Sequence, residues 1–318
     1  MNTHVVGILD SVSSHSDAIR KRLEEVLSDV ALDIRVEGDD GNRKEILEVA
    51  DIILTFHLDS ADLEDASSLR WVQILSAGYD SKPLDALAEA EIILTNASGV
   101  HAEQISQQVL GYLLVFARNI HEGIRQQHAG EWESYHGGEL GDHSLGIIGV
   151  GAIGTRIGEY AATFGMDVIG CKRTPSTAPE FLEKCVTPNN LDELLRECTY
   201  VVIACPLTDE TRQMVGEHEF DIMREETVVV NIARGQIIDE SALIGALETN
   251  SIRGAALDVF ETEPLPPDSP LREMHNVIMT PHMAGSSPHY YVRAADIFAE
   301  NMRAFASGDF DLMPTRIM

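Results

Sequence analysis

The sequence has few basic residues. It contains 23 Lys and Arg against 52 Asp and Glu, which gives a formal net charge of −29. Lysine is especially rare and occurs only at positions 21, 44, 82, 172 and 184. A body this acidic repels nucleic acid and anionic membrane surfaces. We therefore expect neither a nucleic-acid nor a membrane partner.

Long apolar runs and paired cysteines are also missing. No apolar run approaches the roughly 20 residues of a membrane-spanning helix. The first residues, MNTHVVGILDS, lack the basic region and long apolar stretch of a secretory signal. The cysteines form no CxxC pair and have no nearby set of histidine ligands. We expect a cytoplasmic protein whose four cysteines, Cys171, Cys185, Cys198 and Cys205, are free thiols that bind no metal.

The excess of acidic residues has two explanations. The acids are scattered through the chain and form no acidic tail. Their mutual repulsion destabilises a fold in dilute buffer but is screened in strong salt, where the Debye length falls to about 3 Å at 1 M. This favours a protein from the cytoplasm of a halophile. An acidic protein of a mesophile is the alternative.

The order of short apolar runs predicts two α/β domains with parallel sheets. A length of 318 residues agrees with two domains. Strands are predicted at 4–10, 32–37, 51–56, 70–75 and 91–96, and helices near 16–27, near 43–48, over about 101–127 and at 290–308. Six further strands are predicted at 144–150, 166–171, 200–205, 227–232, 252–259 and 276–280. Six is the number of strands in a complete dinucleotide-binding fold.

A GxGxxG motif at 149–154 follows an apolar strand and opens a helix, which is the setting of a dinucleotide site. Gly149 permits the tight turn, Gly151 lets the backbone approach a pyrophosphate, and Gly154 allows close packing of the helix on the sheet. The amino end of that helix carries partial positive charge that faces the phosphates. A glycine-rich turn that binds nothing is the alternative.

The end of the second strand predicts which cofactor binds. An NAD site places Asp or Glu about 20 residues beyond the glycine motif. This sequence has no acid there and instead has Lys172, Arg173 and Thr174 after Cys171. Two cations and a hydroxyl suit a 2′-phosphate, so we expect NADPH, with NADH as the weaker alternative. A surface pair of bases with no ligand is the other interpretation.

Three reactive side chains follow the ends of three predicted strands, where ligands bind in parallel sheets. They are Arg234, Glu263 and His282. A histidine held by a carboxylate can donate a proton to a carbonyl oxygen that receives hydride. An arginine fork can bind a carboxylate through two bonds. Singly they could be a surface ion pair, a turn acid and one of 12 histidines; together they predict an active site.

These motifs, with PLTDET (206–211), AALDVFETEPLP (255–266) and TPHMAGSSP (280–288), resemble the D-isomer-specific 2-hydroxyacid dehydrogenase family. The resemblance covers nearly the whole chain from about Ser76. It implies that Arg234 binds the substrate carboxylate, that His282 is the acid/base, and that Glu263 orients His282.

The resemblance also implies the remaining site residues. Asp258 would hold the nicotinamide carboxamide, and the backbone of Ala77, Gly78 and Tyr79 would receive the substrate carboxylate. The cofactor would lie against residues of the strand-end loops, namely Gly149, Gly151, Ala152, Ile153, Gly154, Pro206, Thr211, Ile232, Ala233 and Gly285.

The family architecture implies a Rossmann-type cofactor domain inserted into a flavodoxin-like substrate domain. The cofactor domain would span 100–285, and the substrate domain would combine 1–99 with 286–318. Members usually form homodimers through their cofactor domains. Two departures stand out: Gln107 replaces an acid that many relatives carry, and Arg272 replaces a common tryptophan near the active-site rim. The second leaves the preferred substrate size open.

The function expected from the resemblance is NADPH-dependent reduction of 2-oxo acids to D-2-hydroxy acids. One alternative is an enzyme like phosphoglycerate dehydrogenase, which the basic cofactor loop disfavours, as does a length of 318 residues that leaves no regulatory C-terminal domain. Another is a nucleotide-sensing scaffold of the same fold without enzymatic activity.

Overall fold

The computed structural model describes residues 3–10, 12–38, 41–79 and 82–318. The chain divides into two compact units. The first combines Met1–His101 with Ser287–Met318, and the second is the continuous segment Ala102–Ser286. Each unit contains one parallel sheet.

The first unit is built on a five-stranded sheet of order β2-β1-β3-β4-β5. Its strands are β1 (His4–Leu9), β2 (Leu32–Val36), β3 (Ile52–Thr55), β4 (Trp71–Ile74) and β5 (Ile93–Thr95). Its first four helices are α1 (Ser13–Val26), α2 (Arg43–Leu47), α3 (Ser60–Asp65) and α4 (Leu84–Glu89). This is the flavodoxin-like order. Strands such as β3 and β4 are buried along their whole length, as expected where helices cover both faces of a sheet.

The second unit has a seven-stranded sheet of order β12-β11-β10-β9-β6-β7-β8. Its strands are β6 (Ser144–Ile148), β7 (Asp167–Cys171), β8 (Lys184–Val186), β9 (Tyr200–Ile203), β10 (Val228–Asn231), β11 (Gly254–Leu257) and β12 (Val277–Met279). Its helices are α5 (Ala102–Ala117), α6 (Ile120–Ala129), α7 (Ala152–Thr163), α8 (Leu191–Glu197), α9 (Glu217–Ile222) and α10 (Glu240–Glu248).

The order from β8 to β11 is that of the Rossmann fold, and β12 extends it at one edge. The predicted fold class, two parallel-sheet α/β domains of which one is Rossmann-type, is confirmed. The prediction of six strands in this unit was wrong, because it omitted β8. That strand has only three residues, of which only the last is fully buried, so it shows no apolar run.

The single helix predicted over 101–127 was also wrong, since α5 and α6 are separate helices. Asn119 lies between them in the left-handed region, with φ of 52°. A residue in that conformation cannot continue a right-handed helix. Arg253 fixes the break: its Nη2 donates to the carbonyl of Phe116 (2.7 Å) and to Oδ1 of Asn119 (2.8 Å).

The last helix, α11 (Tyr290–Ser307), returns to the first unit and packs on α1. Trp71 of β4 stacks on Phe298 of α11 with ring centroids 4.8 Å apart. Beside this stack, Oε1 of Gln73 accepts hydrogen bonds from the Thr95 hydroxyl (2.6 Å) and from Nδ2 of Asn301 (2.9 Å). Because these polar groups are buried, their mutual hydrogen bonds fix the register of α11 on the sheet.

The described residues include no helix long and apolar enough to cross a membrane. The four cysteines are free thiols in the structure. Burial raises the pKa of Cys171 and of Cys198 to about 12, so both stay protonated near neutral pH.

Candidate active site

The glycine motif forms a tight turn between β6 and α7. Gly149 has φ of 102°, and a Cβ at this position would lie 2.5 Å from the backbone nitrogen of Cys205. A Cβ at Gly154 would lie 2.1 Å from the carbonyl oxygen of Gly149. In contrast, a Cβ at Gly151 would meet no atom within 4 Å. The turn is therefore packed on its inner side and open in front of the helix.

The amino end of α7 is suited to bind phosphate. Ala152 and Ile153 are the first residues of this helix, and its N-cap, Gly151, offers no side chain to cap it. No acid occurs in the first turn. The first N–H groups of a helix have no partner within it and carry partial positive charge. The residues present thus fit the pyrophosphate of a dinucleotide cofactor.

Lys172, Arg173 and Thr174 follow the end of β7, and Arg173 and Thr174 are exposed. Lys172 Nζ donates to a backbone carbonyl five residues further on (3.2 Å). The pKa of Glu210 is lowered, chiefly by the hydrogen bond from the Thr208 hydroxyl and more weakly by the charge of Arg173. Arg173 therefore lies near the loop after β9, close enough to the carboxylate of Glu210 for the two charges to interact.

The loops after β9 and β10 lie side by side, because these strands are paired neighbours. In the first loop, the hydroxyl of Thr211 donates to the carbonyl of Pro206 (2.7 Å) and accepts from the N–H of Thr208 (2.8 Å). In the second, Ile232 and Ala233 are buried. Their backbone thus has a fixed position at the carboxyl edge of the sheet.

The position of Arg234 is determined by two contacts of its loop. The buried Asn231 accepts from the N–H of Ala233 (3.0 Å) and donates to the carbonyl of Arg234 (3.0 Å). Next in the chain, a Cβ at Gly235 would lie 1.9 Å from the backbone of Phe260. Glycine at 235 therefore lets the arginine loop lie directly on the segment that leads to Glu263.

His282 and Glu263 form a hydrogen-bonded pair, with Nδ1 2.7 Å from Oε2. The other oxygen of Glu263 accepts from the N–H of Phe260 (3.0 Å). Burial alone would raise the pKa of Glu263, but these bonds and the charges of His282 and Arg234 outweigh it, so the pKa is lowered. Glu263 is then an ionised acceptor, Nδ1 carries the proton, and Nε2 is the nitrogen that can exchange a proton with a ligand. The side chain of His282 is 50% exposed, so a small molecule can reach it.

Asp258 holds the loop that carries His282. Its carbonyl accepts from the N–H of His282 (2.8 Å), which has φ of 50°. Its carboxylate is 2% exposed and accepts from the hydroxyl of Thr280 and from the N–H groups of Met283 and Ala284, both at 2.9 Å. A histidine in the left-handed region is strained, and it persists because these bonds fix the backbone on both sides.

A cavity of about 500 Å³ lies against His282 and Glu263. Its other lining residues are mostly apolar, and Arg272 stands among them. The guanidinium of Arg272 donates to the carbonyls of Leu265 (2.5 Å) and Pro266 (2.9 Å). Arg272 thus fixes the segment that follows Glu263.

Gln107 lies apart from this cavity, in a group of side chains around Glu103. It is exposed and donates to Glu103 of the same helix (2.7 Å), which also accepts from Arg156 (2.9 Å) and from the hydroxyl of Tyr160. An acid at 107 would face Glu103 one turn away and repel it, whereas the amide donates to it. Gly285, by contrast, is tied to α5 directly, since its carbonyl accepts from Gln104 (3.1 Å).

The predicted substrate loop belongs to the first unit and follows β4. The carbonyl of Ala77 accepts from Nδ2 of Asn96 (2.6 Å), and that of Gly78 accepts from the hydroxyl of Ser76 (2.7 Å). Tyr79 is partly buried. All other predicted site residues lie in the second unit.

Residues 110–284 match the profile of the D-isomer specific 2-hydroxyacid dehydrogenase, NAD binding domain. The chain belongs to this family. It is 37% identical over 265 residues to a glyoxylate reductase from Aeropyrum pernix, a match that covers 80% of this chain and 79% of the relative. It is also 37% identical over 239 residues, 73% of each chain, to a glyoxylate/hydroxypyruvate reductase B from Enterobacter sp.. The protein is thus an oxidoreductase of the D-2-hydroxyacid dehydrogenase family.

A solved structure supports the assignment over the full length. The D-isomer specific 2-hydroxyacid dehydrogenase from Xanthobacter autotrophicus Py2, in complex with NADPH and MES, has a TM-score of 0.81 and 28% identity. The match covers 100% of this chain and 98% of that one. The second unit is accordingly the NAD-binding domain of the family.

Substitution of His282 by glycine tests the charge balance at Glu263. Glycine adopts positive φ freely, so the loop should keep its path. The substitution removes both the hydrogen bond and the charge of the histidine, and burial then raises the pKa of Glu263 relative to the wild type. Carboxyl ¹³C NMR titration measures this pKa, with Glu263→Gln identifying the signal. Glu193, whose pKa is lowered by Lys184, is the internal control and should not shift. An unchanged titration of Glu263 would show that the pair does not form.

Proposed function

We propose that this protein is an NADPH-linked reductase that converts small 2-oxo acids to D-2-hydroxy acids. The observation that carries the proposal is the His282–Glu263 pair, 2.7 Å apart, at the carboxyl edge of the sheet that also bears the open glycine turn. The names of the relatives favour glyoxylate and hydroxypyruvate as substrates. The protein from Xanthobacter autotrophicus with bound NADPH favours that cofactor.

When bound, NADPH would provide the hydride that reduces the carbonyl carbon of the substrate. Nε2 of His282 donates a proton to the carbonyl oxygen, while Glu263 holds the ring in one orientation and stabilises its charge. Arg234 binds the substrate carboxylate as a fork. Asp258, which lies at the carboxyl end of β11, would hold the nicotinamide carboxamide.

Turnover by His282→Asn tests the acid/base role. Asparagine tolerates the left-handed conformation of this position, so the loop should survive. Loss of the proton donor should lower kcat about 10²- to 10⁴-fold and leave NADPH affinity near the wild-type value. The assay follows NADPH consumption with glyoxylate, hydroxypyruvate, pyruvate and a branched 2-oxo acid, and the exposed His275→Asn is the control.

Two results would contradict this assignment. If His282→Asn kept more than half of the wild-type kcat, His282 would not be the acid. If the wild type bound NADPH but reduced none of the four acids, the nucleotide-sensing scaffold would become the better explanation.

We further propose that Lys172, Arg173 and Thr174 select NADPH. A 2′-phosphate adds about two negative charges, which a guanidinium can bind as a fork. The double variant Lys172→Asp, Arg173→Ala should raise the KM for NADPH roughly ten- to hundredfold and leave kcat unchanged, because the phosphate is remote from the reacting carbon. The variant Lys21→Asp, Arg20→Ala makes the same change of net charge elsewhere and should have no effect. Equal use of NADH and NADPH by the wild type would refute the proposal.

The acidic surface leads us to propose a requirement for salt. Even if every base were paired with a different acid, 29 acids would remain unpaired. Their repulsion should unfold or loosen the chain in dilute buffer and be relieved by molar KCl. Circular dichroism and turnover, measured between 50 mM and 3 M KCl, test this. Equal folding and activity at both limits would favour the acidic mesophilic alternative.

An exposed apolar surface supports the proposal of a homodimer formed through the second unit. Helix α6 has no buried residue, and residues 131–139 after it form neither helix nor strand. Four large apolar side chains of this stretch are exposed, Ile120, Ile124, Trp132 and Tyr135, with exposed fractions of 41%, 48%, 99% and 44%. Large apolar side chains exposed together are typical of an interface.

Sedimentation of Trp132→Arg tests the dimer. A buried arginine without a partner should prevent association, so the variant should sediment as a monomer of about half the wild-type mass. Leu312→Arg, at an exposed leucine of the first unit, is the control and should sediment like the wild type. A wild type that is monomeric at all concentrations would contradict the proposal.

A further inference from the structure

A chain of hydroxyl groups joins helix α5 to the loop of His282. On α5, Nε2 of Gln108 lies 2.9 Å from the hydroxyl of Tyr112. That hydroxyl lies 2.5 Å from the hydroxyl of Thr280, at the end of β12. The hydroxyl of Thr280 in turn contacts Oδ1 of Asp258. Three side chains that the proposed mechanism does not use thus form a chain of hydrogen bonds, and its last member, Thr280, contacts the carboxylate of Asp258.

Elementary hydrogen-bond chemistry fixes the direction of this chain. A carboxylate only accepts, so Thr280 must donate its single proton to Asp258. The oxygen of Thr280 can then only accept, which makes Tyr112 the donor to it. The tyrosine oxygen in turn accepts from the amide of Gln108. Every donor therefore points toward Asp258, and each hydroxyl both accepts and donates.

The surroundings make these bonds costly to lose. Asp258 is 2% and Tyr112 is 4% exposed, so these two groups have little contact with water that could replace a lost donor. Burial raises the pKa of Tyr112, which keeps the phenol protonated and able to donate. Bonds in such a setting strengthen one another, and a carboxylate that loses a donor there keeps the full penalty of burial.

The same carboxylate determines the backbone of the catalytic loop. Its oxygens accept hydrogen bonds from the N–H groups of Met283 and Ala284, the two residues after His282. A carboxylate that rotates to find a new donor would release these N–H groups. The left-handed φ of His282 would then lose the contacts that hold it.

We propose that Tyr112 and Thr280 are positioning residues for His282. Their hydroxyls hold the carboxylate of Asp258 in the one rotamer that aims it at the loop, and they thereby fix the imidazole against Glu263. The consequence for turnover rests on the proposed function, whereas the consequence for the loop does not.

A purely structural role predicts something different. Tyr112 belongs to the apolar core between α5 and the sheet, so its ring contributes packing as well as a hydroxyl. If packing were its whole role, Tyr112→Phe would be silent, and Thr280→Val, which keeps the shape of threonine, would match the wild type. If the hydroxyls position His282, both variants should be defective and Thr280→Ser should be active.

The experiment compares Tyr112→Phe, Thr280→Val, Thr280→Ser and the double variant Tyr112→Phe, Thr280→Val. We expect kcat to fall about tenfold in Tyr112→Phe and at least as much in Thr280→Val. The KM for the 2-oxo acid should stay near wild type, because the Arg234 loop is positioned by hydrogen bonds of Asn231 and not by these hydroxyls. Thr280→Ser should retain most of the activity. The double variant should be no worse than Thr280→Val, since the two hydroxyls act in series.

Amide hydrogen exchange supplies a measurement that does not depend on turnover. The amides of Met283 and Ala284 should exchange about tenfold faster in Tyr112→Phe and Thr280→Val than in the wild type or Thr280→Ser. Should Thr280→Val fail to fold, Tyr112→Phe alone decides. Tyr160→Phe, which removes a hydroxyl from the surface cluster around Glu103, is the matched control and should change neither readout.

The outcomes are distinct. Wild-type kcat and wild-type exchange in Tyr112→Phe would overturn the inference, as would a Thr280→Ser variant as defective as Thr280→Val. If no 2-oxo acid were turned over by the wild type, the proposed function would fail, and faster exchange of the two amides would still support the positioning role.

Discussion

The buried carboxylate of Asp258 is the group on which the candidate site depends. It lies at the carboxyl end of β11 and accepts hydrogen bonds from a side chain and two backbone N–H groups of the segment after β12. A carboxylate so far from water is stable only when donors surround it. The loop therefore folds around Asp258, and His282 acquires its unusual backbone conformation as a result.

The parallel sheet brings the reactive side chains together. Strands β10, β11 and β12 are successive neighbours, and the loops that follow them carry Arg234, Glu263 and His282. Because parallel strands end at the same edge, these loops lie side by side although their residues are distant in sequence. Close backbone contact at Gly235 then brings the arginine loop against the segment of Glu263. The order of the strands thus brings the three side chains close together, and a few hydrogen bonds orient them.

Because Lys and Arg are few in this chain, the arginines that bind several acceptors at once stand out. Arg253 binds the carbonyl at the end of α5, and Arg272 binds two carbonyls after Glu263. Arg43 joins Asp62 and Glu37 in the first unit, and the hydrogen bond and charge of Asp62, opposed by burial, raise the pKa of Arg43. Arg253 thus holds the end of α5, Arg272 holds the segment after Glu263, and Arg43 joins α2 to α3. In a chain with a net charge of −29, a guanidinium that binds several acceptors is worth more than a surface ion pair.

The sequence by itself determined the succession of all strands except β8, the glycine turn and the three reactive side chains. These features are local: an apolar run, a motif of six residues, or a polar residue just past a strand. Tertiary structure decided the rest. The strand β8 exists because β7 offers it an edge, and the helix predicted over 101–127 breaks because Arg253 binds Asn119 across more than 130 residues of chain. Tyr112 shares one face of α5 with Gln108, which the sequence shows, but that this face meets Thr280 depends on how the helix packs against the sheet. The spacing of residues along a helix determines which of them share a face. Which other element that face packs against is decided only when the whole core is buried.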